Sequence, residues 1–144
     1  MFITEFLNIS AYSLIGIILM LLGSFCIDLV IPCSFPEEIK KGNRAIGWIS
    51  AGAYISIGII IRTAIASTDS GFFIDESTFV GGLLSTMFCY ALGVAFLMIG
   101  YLILKFINKK YDLNKEVGEG NVAAGVMVFG MLVGLGLVIS GVIA

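Results

Sequence analysis

The stretch FPEEIKKGNRAIGWISAGAYISIGIIIRTAIA, from Phe35 to Ala66, decides the fold because it occurs twice. Laid over LNKEVGEGNVAAGVMVFGMLVGLGLVISGVIA, from Leu113 to Ala144, it pairs Glu38 with Glu116, Gly42 with Gly120 and Asn43 with Asn121. The same register pairs Ala45 with Ala123, Gly47 with Gly125, Gly52 with Gly130 and Gly58 with Gly136. A lipid-facing composition readily reproduces Leu and Ile by chance, but not Glu, Gly and Asn in register, so the match reads as an internal duplication. Each copy opens on a short polar segment and runs into an apolar stretch of the length that crosses a hydrocarbon core of about 30 Å, which takes about 20 residues of α-helix.

Two further apolar stretches precede these, giving spans at about 11–31, 45–66, 79–107 and 122–144. The first and third of them align more weakly, through Tyr12 with Tyr90, Leu14 with Leu92, Leu19 with Leu97 and Met20 with Met98. The expected fold is an all-α membrane protein of four transmembrane helices, arranged as two helical hairpin repeats. Repeat one covers 1–66, an outer loop 67–78, and repeat two 79–144. An even number of spans per repeat makes both copies enter the membrane in the same direction, a parallel repeat without the inverted topology of many secondary transporters.

The composition agrees. Of 144 residues, 59% are hydrophobic and 12% charged, with 18 Gly, 2 Pro and no His, and the mean hydropathy is +1.09. A soluble domain carries about a quarter charged residues, so a cytosolic enzyme is excluded. Without histidine, Ser-His-Asp triads and most zinc sites cannot be assembled. Cys26, Cys33 and Cys89 form no CxxC pair and read as free thiols, with neither a metal site nor a cofactor implied. A net charge of −2 with no dense basic run excludes nucleic acid as a partner. The N-terminal segment lacks a basic n-region and a small-residue cleavage site, so it is expected to stay as a transmembrane helix.

Apart from Arg62, every basic residue flanks the loops 32–44 or 108–121, whereas the loop 67–78 holds Asp69, Asp75 and Glu76. By the positive-inside rule the two basic loops are cytoplasmic, and both termini and the middle loop face outward. Trp48 then anchors the inner interface, and Phe72 and Phe73 the outer one.

The polar element before the second span of each copy is the most informative local feature. Ser34-Phe35-Pro36-Glu37 has capping-box spacing, with Ser34 as N-cap and Glu37 reaching back; Asp112 is the corresponding N-cap in the second copy. A short amphipathic cytoplasmic helix follows, with Phe35 and Ile39, and Leu113 and Val117, on a face suited to the membrane surface. Gly42 and Gly120 end these helices, and Asn43 and Asn121 cap the spans. The alternative is that Glu38, Asn43, Glu116 and Asn121 line one polar site for a small ion or partner protein.

Ionisable residues in a span are functional hypotheses by default. Arg62 and Lys105 lie near span ends and snorkel, Arg62 towards Asp69 or Asp75. Asp28 has Lys40 or Lys41 as structural partner, or else marks an ion pathway. Helices associate in lipid through close backbone approach, so Gly47, Gly52 and Gly58 on the second span, and Gly125, Gly130, Gly134 and Gly136 on the fourth, mark packing faces within or between chains.

The doubled pattern EIKKGNRA (Glu38 to Ala45) and EVGEGNVA (Glu116 to Ala123), set before two glycine-rich spans, resembles the YjfL-type bacterial inner-membrane proteins, a domain of unknown function. The resemblance implies a multi-pass protein of the bacterial cytoplasmic membrane with no established reaction. The expected function is a non-catalytic oligomeric scaffold or accessory subunit, whose partners are membrane lipid, further copies of the chain or other membrane-protein subunits. The alternative is a pore-forming channel or small-ion transport protein using Asn43, Asn121 and Asp28. A membrane enzyme is the least favoured reading, because loops of about a dozen residues without His offer little chemistry.

Overall fold

The computed structural model describes residues 2–31, 33–67, 79–108 and 112–144, and among them every regular element is a helix. In chain order they are α1 (Phe2–Val30), α2 (Phe35–Lys40), α3 (Arg44–Ala66), α4 (Phe79–Ile107), α5 (Leu113–Gly118) and α6 (Val122–Ile143). The helices α1, α3, α4 and α6 are long and apolar enough to cross a membrane. The expected outer-loop residues Asp69, Phe72, Phe73, Asp75 and Glu76, and also Lys109 and Lys110, lie outside the described residues.

Helix and hydrophobic span coincide at α3, α4 and α6 but not at α1, which begins well before Ala11. Hydropathy marks where lipid begins, whereas the backbone continues helically through Thr4, Asn8 and Ser10. The Ser10 hydroxyl donates back to the Phe6 carbonyl at 2.8 Å. At 1.5 Å per residue, the 29 residues of α1 and of α4 each reach about 43 Å, beyond the hydrocarbon thickness.

The most extensive helix pairing is that of α3 with α6. A Cβ placed on Gly125 would stand 2.6 Å from Ala45 Cα, one on Gly52 3.0 Å from Phe129 Cα, and one on Gly136 2.9 Å from Ser56 Cα. Contact positions rise together along both helices, so α3 and α6 run parallel with their backbones nearly touching. Phe129 fills the groove beside Gly52 and meets Trp48 edge-on at 5.3 Å. Further along, the Thr63 and Ser140 hydroxyls hydrogen-bond at 2.6 Å. Hydroxyl pairs of this kind contribute about 0.6 to 2 kcal/mol between membrane helices.

The helix α4 rests on both α3 and α6, meeting Ile60 at Gly93 and Leu135 at Gly100. It also reaches α1, where the Tyr90 hydroxyl donates to the Leu19 carbonyl at 2.6 Å. The helix α1 rests on α3 through Gly16 at Ile61 and Gly23 at Ile57. One apolar core results, built around Ile46, Ile49, Ile57, Ile60, Leu97 and Leu132, all buried.

The expected packing faces divide. Gly52, Gly125 and Gly136 are sites of close approach within the chain, whereas a Cβ added at Gly47, Gly58, Gly130 or Gly134 would meet nothing within 4 Å. Gly136→Leu and Gly52→Leu are expected to destabilise the folded chain by about 1–3 kcal/mol each, the cost of overpacking a backbone contact. Thermal unfolding in detergent followed by circular dichroism would measure the loss.

Candidate functional site

The candidate site lies at the α2–α3 and α5–α6 junctions, where polar backbone must be satisfied next to the hydrocarbon. Both short helices end the same way. The Gly42 amide donates to Ile39 O at 2.9 Å and the Asn43 amide to Glu38 O at 2.9 Å; in the second half Gly120 donates to Val117 O at 3.1 Å and Asn121 to Glu116 O at 2.9 Å. This is a Schellman closure, and it needs a left-handed residue at its turn. Gly42 and Gly120 supply it with φ of 81° and 83°.

The asparagines then start the spans. Asn43 Oδ1 accepts from the amides of Ala45 and Ile46 at 3.0 and 3.2 Å, and Asn121 Oδ1 from those of Ala123 and Ala124 at 3.1 and 3.5 Å. Each amide group also donates to the glutamate five residues back: Asn43 Nδ2 to Glu38 Oε2 at 3.0 Å and Asn121 Nδ2 to Glu116 Oε2 at 2.6 Å. The repeated glutamate therefore holds the cap side chain in place.

The two joints differ in what lies beyond. Asn43 Nδ2 also donates across the molecule to the carbonyls of Val117 and Gly118, at 3.0 and 3.3 Å. The first joint is thereby latched onto the C-terminal end of α5, and it borders an open cleft of about 400 Å³ with Arg44 and Glu119 at its rim. Glu116 and Asn121 border a separate recess of about 260 Å³ with Ala123, Ala124 and Met127. The four predicted polar residues thus form two local pairs at separate openings.

Lys41 Nζ binds Glu38 Oε1 at 2.7 Å. This bond, and then that from Asn43, hold the Glu38 carboxyl below the usual glutamate range, and Glu38 in turn holds the Lys41 ammonium above its ordinary value. Burial, followed by the Glu38 and Asp28 carboxylates, pushes the Cys33 thiol up, which makes it a poor nucleophile.

Several expectations change. Ser34 occupies the N-cap of α2 without a side-chain hydrogen bond; Asp28 Oδ1 accepts from the Phe35 amide at 2.9 Å instead. Pro36 has no amide to offer the Ser34 hydroxyl, the first amide of α2 goes to the carboxylate at the end of α1, and this bond replaces the expected contact of Asp28 with Lys40 or Lys41. Asp112 caps α5 as expected, accepting from the Lys115 amide at 3.3 Å. The short helices do not lie on the membrane surface by their apolar faces: Phe35, Leu113 and Val117 are buried in the core, and of the two pairs only Ile39 is exposed. They face inward because α3, α4 and α6 offer protein where an isolated hairpin would offer lipid. Sequence reasoning missed the Tyr101 hydroxyl, which donates to Asn114 Oδ1 at 2.8 Å. Its signal was a tyrosine near a span end, whose hydroxyl requires a partner when buried. Among the described residues Ser85 Oγ is the buried side-chain oxygen left without a hydrogen bond, and no set of three metal-ligating side chains is present.

Comparison with known proteins places this arrangement. The family described as Domain of Unknown Function (DUF350) matches residues 1–143. The chain belongs to that family. It is similar to the UPF0719 transmembrane protein YshE of Bacillus subtilis (strain 168), at 26% identity over 136 residues, which is 94% of this chain and 92% of that protein. It is also similar to a UPF0719 transmembrane protein of Aquifex aeolicus (strain VF5), at 24% identity over 127 residues. That alignment takes in 87% of this chain and 44% of the longer relative. No solved structure matches. This DUF350 protein is a transmembrane protein of an uncharacterised family, with four membrane-capable helices among its described residues.

Asn43→Leu removes both a cap and the cross-molecule latch, and is expected to destabilise by about 1–2 kcal/mol or more, against about 1 kcal/mol for Asn121→Leu. Paired denaturation curves would show the inequality. A second expectation concerns pH. Because the Glu38 carboxyl titrates below the ordinary value of 4.5 when folded, its stabilisation is complete above that value and is lost as pH falls through the lowered one. Glu38→Gln should flatten this acid limb in a series of unfolding midpoints taken at successive pH values.

Proposed function

We propose that this protein is a non-catalytic scaffold, a homo-oligomer or the accessory subunit of a larger complex in the bacterial cytoplasmic membrane. We further read the chain as a duplicated hairpin, in keeping with its YjfL-type motif, with both termini outside and loops 32–44 and 108–121 cytoplasmic. The observation that carries the scaffold reading is the state of α6. Gly130, Gly134 and Gly141 are exposed along it and leave open space on its surface. Lipid gains nothing from a glycine face; another helix does, because small residues let backbones approach.

The polar groups support the same reading. Asn43, Asn121 and Asp28, the candidates for a pore, spend their side chains on backbone amides of neighbouring helix starts. A side-chain oxygen engaged by backbone amides is a weaker ion ligand, acid or base than a free one.

Native mass spectrometry after gentle detergent extraction is expected to show a multimer or a stable heterocomplex; a strictly monomeric particle would overturn the reading. In the same preparation, liposome conductance should equal that of empty liposomes. A C-terminal alkaline phosphatase fusion should be active, because the C-terminus faces outward.

A further inference from the structure

The contact between the two halves is head to tail. Within the chain, Ala45, Gly52 and Ser56 of α3 receive Gly125, Phe129 and Gly136 of α6. In a two-fold contact, the duplicated counterparts of these residues would meet reciprocally, with Gly47 on Ala123. They do not: a Cβ added at Gly47 would meet no described residue of another element within 4 Å, and Ala123 is exposed. The counterparts of the α3 face, Ala123, Gly130 and Gly134 on α6, are exposed, as are Gly47 and Ala51 on α3, the counterparts of Gly125 and Phe129. Each half therefore carries both sides of one joint, and the chain uses one side from each.

Two further features repeat the same imbalance. In the first half, α4 covers the α1–α3 groove and leaves Ile60 and Ala64 at 0% exposure. The counterpart groove between α4 and α6 is an open apolar channel of about 520 Å³, lined in part by Leu92, Phe96, Leu135, Val138 and Val142. Its Val138 and Val142, counterparts of Ile60 and Ala64, are exposed at 65% and 83%. At the polar end, Asn43 is latched to the carbonyls of Val117 and Gly118, while Asn121 opens onto the recess beside Ala123 and Met127. The carbonyls that correspond to Asn43's acceptors belong to Ile39 and Lys40.

From these three imbalances we infer that copies of this chain join head to tail by repeating the internal joint, with α6 of one copy receiving α3 of the next, α1 of the next filling the α4–α6 groove, and Asn121 donating to the Ile39 and Lys40 carbonyls of the next copy. A heterologous contact of this kind closes into a ring if its rotation permits. At 3.6 residues per turn, the used and open faces on α3 and on α6 stand about 140° apart and not diametrically opposite, so successive contacts curve towards closure. At the outer end, Arg62 of the next copy takes the place held internally by Ser140, and Gly141 takes that of Thr63. The larger side chain then faces the missing one.

The inference deepens the scaffold reading and rests on it and on the duplication. Two separately tagged variants, Arg62→Cys and Gly141→Cys, at the counterparts of the hydrogen-bonded Ser140 and Thr63, would be co-expressed and oxidised in native membranes. The expected result is a mixed disulfide dimer when both are present, and none from either variant or the unmodified chain alone. In the double variant the ladder should end at a closed species. Self-cross-linking of Gly141→Cys alone would overturn the inference in favour of a two-fold contact. So would the absence of a mixed dimer from a protein that is multimeric by native mass spectrometry, and in both cases the scaffold reading would stand. A monomeric native particle would remove both.

Gly134→Leu provides the second measurement, since a Cβ there would meet none of the described residues within 4 Å. It should keep the helical circular-dichroism spectrum of the unmodified chain and weaken self-association by about tenfold or more. Unchanged association would overturn the inference.

Discussion

Because Gly125 and Gly136 carry no side chain, α6 reaches the backbone of α3 at Ala45 and Ser56, and that approach sets the position of the other elements. Ala45 is two residues from Asn43, so seating Gly125 there brings the turn before α6 to the start of α3. The C-terminal carbonyls of α5 then fall within 3.0 and 3.3 Å of the Asn43 amide. Displacing α6 by the width of a leucine would break the latch without altering any residue in it.

Magnitudes explain why packing leads and polarity follows. Between helices in lipid there is no hydrophobic driving force, and an interhelical hydrogen bond contributes about 0.6 to 2 kcal/mol. The Thr63–Ser140 and Tyr90–Leu19 bonds are of this size and could not by themselves order four spans. The continuous contact along α3 and α6, with dispersion gained at every turn, could. The junctions answer a different demand: an unpaired amide next to hydrocarbon costs several kcal/mol, so Asn43, Asn121, Asp28 and Asp112 are placed where helices begin. Their chemistry is that of keeping a chain folded at the membrane boundary.

The sequence made the helices legible because span length and the Gly-Asn punctuation are local properties. Gly42 and Gly120 could be placed at left-handed turns, and Asn43 and Asn121 at caps, from spacing alone. Asp28 could not be assigned, because its acceptor role depends on how the chain returns from α1 to α2, a geometry set by Ile31, Phe35 and the core beneath them. The apolar faces of α2 and α5 were visible in the sequence, but not whether lipid or protein would cover them. Among the glycines, spacing marked the faces of the second and fourth spans, could not tell Gly136, seated on Ser56, from Gly134, whose Cβ would meet nothing, and passed over Gly93 and Gly100 on α4. That distinction depends on the rotation of one helix against another.

The same local sequence in two different surroundings has a further consequence. Asn43 and Asn121 share a glutamate, a glycine and an alanine at the same spacing, and each caps its span and binds its glutamate, yet among the described residues only Asn43 has a cross-molecule acceptor. Local chemistry therefore fixes the cap, and the latch is a property of the pairing between halves. A helix-interior glycine costs about 0.8–1.0 kcal/mol relative to alanine on intrinsic propensity. At Gly125 and Gly136 that cost is offset by the contact with α3. At Gly130, Gly134 and Gly141, exposed and facing open space, no described residue of the chain offsets it. In a lone chain these three positions would be better filled by alanine or leucine, which makes the exposed face of α6 the half-built part of the molecule.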